Sequence, residues 1–175
     1  VPGVNGKAQI GATLTAVPKK WAKDVELNYQ WFVNGVPFDG ATSETFTLAE
    51  DDVNQGEVVK VRVTGTLEGY EDLYKDSASF TVIPGVLKIT EKPTISAADG
   101  YVTGSTISVE GGTVNYANAD VDYQWFRNGV ALLGETDAEY TTVAADVSKK
   151  LTVTVTYSAF NYSSVSITLK SATIK

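Results

Sequence analysis

The sequence predicts an all-β fold of two tandem β-sandwich domains, and three observations predict it. Short apolar runs of period two, divided by turn residues, fill the chain, and no apolar run of helical period stands out. An eight-residue segment, Tyr29-Gln30-Trp31-Phe32-Val33-Asn34-Gly35-Val36, returns ninety-four positions later as Tyr123-Gln124-Trp125-Phe126-Arg127-Asn128-Gly129-Val130, changed only at the residue before Asn. A period near ninety residues far exceeds the roughly 20 to 50 of solenoid or propeller units, so whole domains are duplicated. Third, Asn34-Gly35 and Asn128-Gly129 each follow a strand pattern and precede an apolar residue, the signal of a tight hairpin.

In the first copy the expected strands are 8–10, 13–17, 26–33, 36–38, 44–48, 58–64 and 77–83. Alternation places Leu27, Tyr29, Trp31 and Val33 on one face, and Val59, Val61 and Val63 on another inward face. Leu14, Phe46, Leu48, Ala78, Phe80 and Val82 are expected to complete this core. The second copy keeps the phase through Val121, Tyr123 and Trp125, then Leu151, Val153 and Val155, with Ile107 and Tyr140 beside them. Tyr29, Trp31, Tyr123 and Trp125 are thus core candidates, while Phe32, Phe126, Gln30 and Gln124 face the other way. Further matches are Gly40 with Gly134, Thr42 with Thr136, Phe46 with Tyr140 and Asp52-Val53 with Asp146-Val147; after a two-residue deletion, Gly69-Tyr70 matches Asn161-Tyr162.

Domain limits follow from a smaller echo, Val1-Pro2-Gly3-Val4 against Ile83-Pro84-Gly85-Val86, which divides the chain into 1–85 and 86–175. Proline removes a ladder donor and glycine opens the backbone, so the pair ends one sheet and starts the next, and so short a joint is expected to limit bending. Counted from this echo, the second domain carries an extended N-terminal segment, Leu87 to Ala97, expected to form an added strand or an interdomain brace.

Composition bounds the chemistry. Cysteine and histidine are absent, which removes disulfides, thiolate nucleophiles, zinc-thiolate sites and the commonest general base. The net charge is −7, with 7 basic and 12 acidic side chains in residues 1–85 and 7 and 9 in residues 86–175, which argues against a nucleic-acid partner. No apolar run approaches the roughly 20 residues of a membrane span, so no membrane insertion is expected.

The tryptophan on the third strand and the Asp before the penultimate strand resemble an immunoglobulin-like sandwich. More specifically, Gly11-Ala12-Thr13-Leu14-Thr15, Tyr29-Gln30-Trp31, Asn34-Gly35 and Asp52-Val53, with Gly104-Ser105-Thr106-Ile107-Ser108 opening a second set, resemble bacterial Ig-like repeats of cell-surface, wall-associated or surface-layer proteins. The two inter-sheet cysteines of antibody domains are missing. This resemblance implies an extracellular module, bacterial surface-bound or secreted, without catalytic activity. Such a module acts as a stalk, spacer or lattice segment whose partners are neighbouring repeats, copies of itself or cell-wall glycan. The alternative is an accessory glycan- or protein-binding module of an adhesin or an extracellular carbohydrate-active enzyme.

Candidate sites lie where the copies differ. Trp21 follows Pro18-Lys19-Lys20 in a loop, has no tryptophan counterpart, and is the candidate ligand-contact residue. Calcium is the one cofactor considered, since Glu50, Asp51 and Asp52, joined by Asp99, supply hard oxygen ligands, although no Asp-x-Asp-x-Asp-Gly loop is present. Glu71 and Asp72 read as a solvated turn. Asp52 and Asp146 are expected to accept hydrogen bonds from backbone amides in the turn before the penultimate strand.

Overall fold

Period-two patterning becomes nineteen short strands, and the one helical element is a 3-10 turn at Ala144–Asp146. The structure, a computed structural model, describes all 175 residues, and no helix in it is long and apolar enough to cross a membrane. The chain divides into two compact units, Val1–Gly85 and Val86–Lys175. Each is an immunoglobulin-like β-sandwich.

The first unit contains β1 (Gly3–Asn5), β2 (Thr13–Val17), β3 (Glu26–Val33), β4 (Val36–Pro37), β5 (Thr45–Thr47), β6 (Val58–Thr66), β7 (Leu73–Asp76) and β8 (Phe80–Thr81). One sheet runs β1-β2-β5; the other runs β4-β3-β6, with β7 and β8 both paired to β6. The β3–β4 hairpin closes through Asn34 (φ 50°) and Gly35 (φ 81°), and pairs Val33 with Val36. Two residues at positive φ match the right-handed twist of the strands they join. Between the sheets lie Leu14, Phe46 and Leu48 from one side and Trp31, Val59, Val61 and Val63 from the other, all buried.

Strand β9 (Gly85–Val86) straddles the boundary, and the second unit contains β10 (Ile89–Glu91), β11 (Thr94–Ser96), β12 (Thr106–Glu110), β13 (Thr113–Val114), β14 (Asp120–Arg127), β15 (Val130–Ala131), β16 (Glu139–Thr141), β17 (Lys150–Ser158), β18 (Tyr162–Ser163) and β19 (Val165–Thr173). Sheets β11-β12-β16 and β15-β14-β17-β19 enclose Ile107, Trp125, Tyr140, Leu151, Val153 and Ile174. Two small sheets, β10-β13 and β9-β18, are additional.

Several expectations need correction. Residues 8–10 form no antiparallel ladder; Gln9 makes a parallel bridge to Ile83. Strands β1 and β7 were not expected, because Gly3-Val4-Asn5 has little alternation and Leu73 and Tyr74 of β7 are exposed. The last strand of the first unit breaks at Ser77, whose Oγ accepts from the Val61 amide (3.0 Å) and donates to the Ala78 carbonyl (2.7 Å), which turns Ala78 outward. Val121, expected inside, is 41% exposed. Trp31 and Trp125 are fully buried, whereas Tyr29 and Tyr123 are half-buried near the sandwich end.

The Pro-Gly echo is not a structural equivalence. Val4 pairs with Ala16 on β2, and Ile95 pairs with Val109 on β12, so β11 is the counterpart of β1 and the buried Pro93 is that of the buried Pro2. On this equivalence Lys92 corresponds to Val1, and the stretch 86–91 lies ahead of it. That stretch forms β10 and part of β9, and its Leu87 is buried against Val155 and Tyr157 of the same unit.

Replacing Trp31 or Trp125 by Ala removes the largest buried side chain of its unit and is expected to cost about 3–5 kcal/mol. Denaturant unfolding followed by circular dichroism checks this.

Candidate functional site

The shared residues of the duplicated segment are spent on the fold. Trp31 Nε1 donates to the Ser43 carbonyl (3.0 Å), and Trp125 Nε1 to the Asp137 carbonyl (2.9 Å). Gln30 Nε2 donates to the carbonyls of Trp31 (2.9 Å) and Phe38 (2.7 Å); Gln124 Nε2 does the same with Trp125 and Leu132 (2.9 Å each). These amides tie the hairpin to its own strand. Phe32 lies on the outer face, only 8% exposed, with the Lys60 and Arg62 cations each 5.1 Å from its ring.

Asp76 gathers those cations: Lys60 Nζ is 2.7 Å away, Arg62 Nε 2.7 Å and Arg62 Nη2 3.0 Å. The Arg62 hydrogen bond, reinforced by Lys60, outweighs partial burial and lowers the Asp76 pKa to about 2. At the register positions of Arg62 and Asp76, the second unit has Thr154 and Thr168, joined by a 3.1 Å hydroxyl pair.

The single change inside the duplicated segment, Val33 to Arg127, belongs to a set. Phe46 and Tyr140 occupy the same register, opposite Leu14 and Ile107. The connection between β5 and β6 spans residues 48–57, whereas that between β16 and β17 spans the shorter 142–149. The longer loop buries Val53; the shorter one buries Asp146, and both are 0% exposed. The Asp146 carboxylate accepts from Arg127 Nε (2.5 Å), Tyr140 Oη (2.9 Å) and the Val143 amide (2.8 Å). Burial pushes its pKa up, but these donors outweigh it and hold the carboxyl below the usual range. Asp146 thus has the expected turn role, while its sequence match Asp52 is exposed and Val147, the match of buried Val53, is 43% exposed.

Trp21 is half-buried, 3.1 Å from the Pro18 carbonyl that receives its Nε1–H. Its ring lies on Gly65, where a Cβ would come within 2.4 Å of the indole, so only glycine admits it. The Lys75 ammonium stands 4.0 Å from the ring centroid, so the ring face that it covers is no free stacking platform. Beside the indole opens a cleft of about 450 Å³ lined mainly by Val25, Leu67, Tyr70 and Leu73; Tyr70 is 75% exposed and Leu73 56%.

Within the first unit Glu50, Asp51 and Asp52 do not form a metal-ligating cluster. Asp51, Asp52 and Asp99 are each exposed to solvent, as are Glu71 and Asp72. The network at Asp146 had one legible signal, the joint change of Val33 to Arg127 and Phe46 to Tyr140. Lys60, Arg62 and Asp76 carried none.

Fold and sites together define a tandem pair of immunoglobulin-like sandwiches, each with an open, largely apolar cleft, beside Trp21 in the first and beside Tyr157 in the second. No protein-family profile matches the sequence, and no curated protein matches it. Among solved structures the chain is similar to a Ca2+-stabilized adhesin that helps an Antarctic bacterium reach out and bind ice, with 14% identity and a TM-score of 0.40. That alignment covers 99% of this chain and 48% of the adhesin chain, so this chain spans about half of it. It is also similar to fibronectin(III)-like modules of CbhA from Clostridium thermocellum, with 10% identity, a TM-score of 0.31, and 99% and 93% coverage. Both TM-scores fall below 0.5, so neither likeness bears on what this chain binds.

Arg127→Val strips the buried Asp146 of its cation and is expected to cost about 3–5 kcal/mol, whereas Arg127→Val with Tyr140→Phe and Asp146→Val recovers most of the loss. Denaturant titration of both variants checks this. Because Asp146 and Asp76 have folded pKa values below 3.8, the stability they contribute is complete above that pH and is lost as pH falls through the folded values, about 2 for Asp76. Thermal melts between pH 7 and 2 should decline chiefly below about pH 4. Excess calcium and chelator should give the same melting temperature, since the acidic turn assembles no ligand set.

Proposed function

We propose that the chain is a non-catalytic structural module, a stalk, spacer or lattice segment of a bacterial surface or secreted protein. The observation that carries this reading is a pair of backbone hydrogen bonds, in each unit, that joins a segment near its start to its last residues. In the first unit Ile10 N–H donates to the Ile83 carbonyl (3.1 Å) and Ile83 N–H to the Ala8 carbonyl (2.8 Å), across a parallel bridge. In the second, Thr103 N–H donates to the Lys175 carbonyl (3.0 Å) and Lys175 N–H to the Tyr101 carbonyl (2.8 Å).

Tension applied through the chain pulls a parallel terminal pair along its length, so its hydrogen bonds are sheared together rather than peeled one by one. That geometry suits a module that transmits force. The groups with lowered carboxylate pKa values, Asp76 and Asp146, are both held in ion pairs, which supports a structural use of the charges. One observation favours a second reading, an accessory binding module: the cleft beside Trp21 is open, apolar and lined by aromatic residues.

Single-molecule pulling between the termini is expected to give two separate unfolding events, each lengthening the chain by about 300 Å. Thr103→Pro, which removes one bridge donor at an exposed position, should lower the rupture force of one event and spare the other. A single event, or forces insensitive to this substitution, would count against the tension-carrying role.

A further inference from the structure

The sheet that carries the buried tryptophan ends in a different kind of strand in each unit. Its order is β4-β3-β6-β7 in the first and β15-β14-β17-β19 in the second, so β7 and β19 are edge strands. The chain leaves β19 beyond its end rather than back along it, since Lys175 bonds to Tyr101 and Thr103.

The ladder fixes which backbone groups the β19 edge offers. Leu151 N–H reaches across to Ser171 Oγ, so Val153, two residues on, also directs its groups toward β19 and meets Leu169. Alternation then turns the amides and carbonyls of Ser166, Thr168 and Lys170 away from β17. The side chains of the same three residues are exposed. Residues 165–170 stay in unbroken register with β17, and β19 carries one charge, Lys170, with no proline and no glycine.

The first unit blunts its corresponding edge. Strand β7 has four residues where β19 has nine, and Ser77 breaks the strand after it. By the same alternation Tyr74 and Asp76 point their backbone groups outward, but the Arg62 guanidinium stands 4.1 Å from the Tyr74 ring and Asp76 is held by Lys60 and Arg62. Two copies of β7 paired about Tyr74 would set Asp76 of one opposite Asp72 of the other, like charge against like, a device that guards an edge. Strand β19 has no such guard.

We propose that the free edge of β19 is a pairing surface for β19 of a second copy of this chain, with the two strands antiparallel and centred on Thr168. In that register Thr168 faces its own copy and Ser166 faces Lys170, so each outward N–H from 166 to 170 finds a carbonyl and the lysines stay apart. Ile167 of each copy meets Leu169 of the other on the inner face, and the Thr154–Thr168 hydroxyl pair continues across the joint. The contact is two-fold and closes at two copies. The inference rests on the structural-module reading for the setting in which copies meet.

Sedimentation equilibrium of the intact chain tests it between about 10 μM and 1 mM, where a monomer–dimer equilibrium with Kd below about 1 mM is expected. The dimer should tighten in about 0.5 M NaCl, because salt screens the −7 charge of each copy. Amide exchange at high concentration should slow at Ser166, Thr168 and Lys170 and stay unchanged at Tyr74 and Asp76. Thr168→Lys sets two ammonium groups opposite each other, and Thr168→Pro removes the central donor at an edge position that proline tolerates. Each should weaken dimerisation at least about tenfold, while the dilute chain melts near the parent temperature. A chain that stays monomeric at about 1 mM in both salts, a dimer indifferent to both substitutions, or growth beyond two copies with protection at β7 would each overturn the proposal. A monomer that still unfolds in two high-force steps would remove the edge pairing and leave the spacer reading standing.

Discussion

The buried indole of each unit is the contact on which the rest of the sandwich depends. Trp31 sits on the central strand of one sheet, stacks 5.5 Å from Phe46 of the other, and sends its Nε1–H to the carbonyl of Ser43. Its own amide donates to the Ala41 carbonyl, so the chain leaving the hairpin must pass directly over the ring. That path is possible only if β3 reverses within two residues, which is why Asn-Gly follows at fixed spacing, and only if the carbonyls it exposes are satisfied, which is the work of Gln30. Tryptophan, glutamine and turn form one device, and it recurs around Trp125.

Around this device the units diverge in sets of residues rather than singly. Val33 and Phe46 give way to Arg127 and Tyr140, and where the loop of the first unit buries Val53, that of the second buries Asp146, a carboxylate with three donors. A buried ion pair and a well-packed apolar group of similar volume differ little in net stability, whereas a half-made pair is costly. The three positions therefore change together. The exchange of Trp21 with Gly65 for Val114 with Tyr157, at equivalent positions of the two units, follows the same logic in volume, because a close-packed interior admits one large ring at that point and not two.

The strands that carry inward-facing side chains were legible because side-chain direction alternates residue by residue, a property of the local backbone. Hence the register of β3, β6, β14 and β17 and both hairpins could be read directly. Residues 8–10 and 73–76 were not legible, since one is a bridge made by the last strand and the other a ladder with exposed side chains. The Pro-Gly echo misled for a related reason. Four similar residues can recur by composition, while the true counterpart of Pro2 is set by which strand pairs with β12.

By itself the sequence determined the fold class, the duplicated core with its tryptophans and the absence of thiol and imidazole chemistry, because each follows from residue identity and a period of two. Only the tertiary structure decided that Val53 goes inside one unit and Asp146 inside the other, that the acidic turn assembles no ligand cluster, and that the Trp21 ring lies over Gly65 beside an open cleft. Those outcomes depend on loop length, and on whether a side chain far away in sequence fills or vacates the same volume, and no local pattern encodes either.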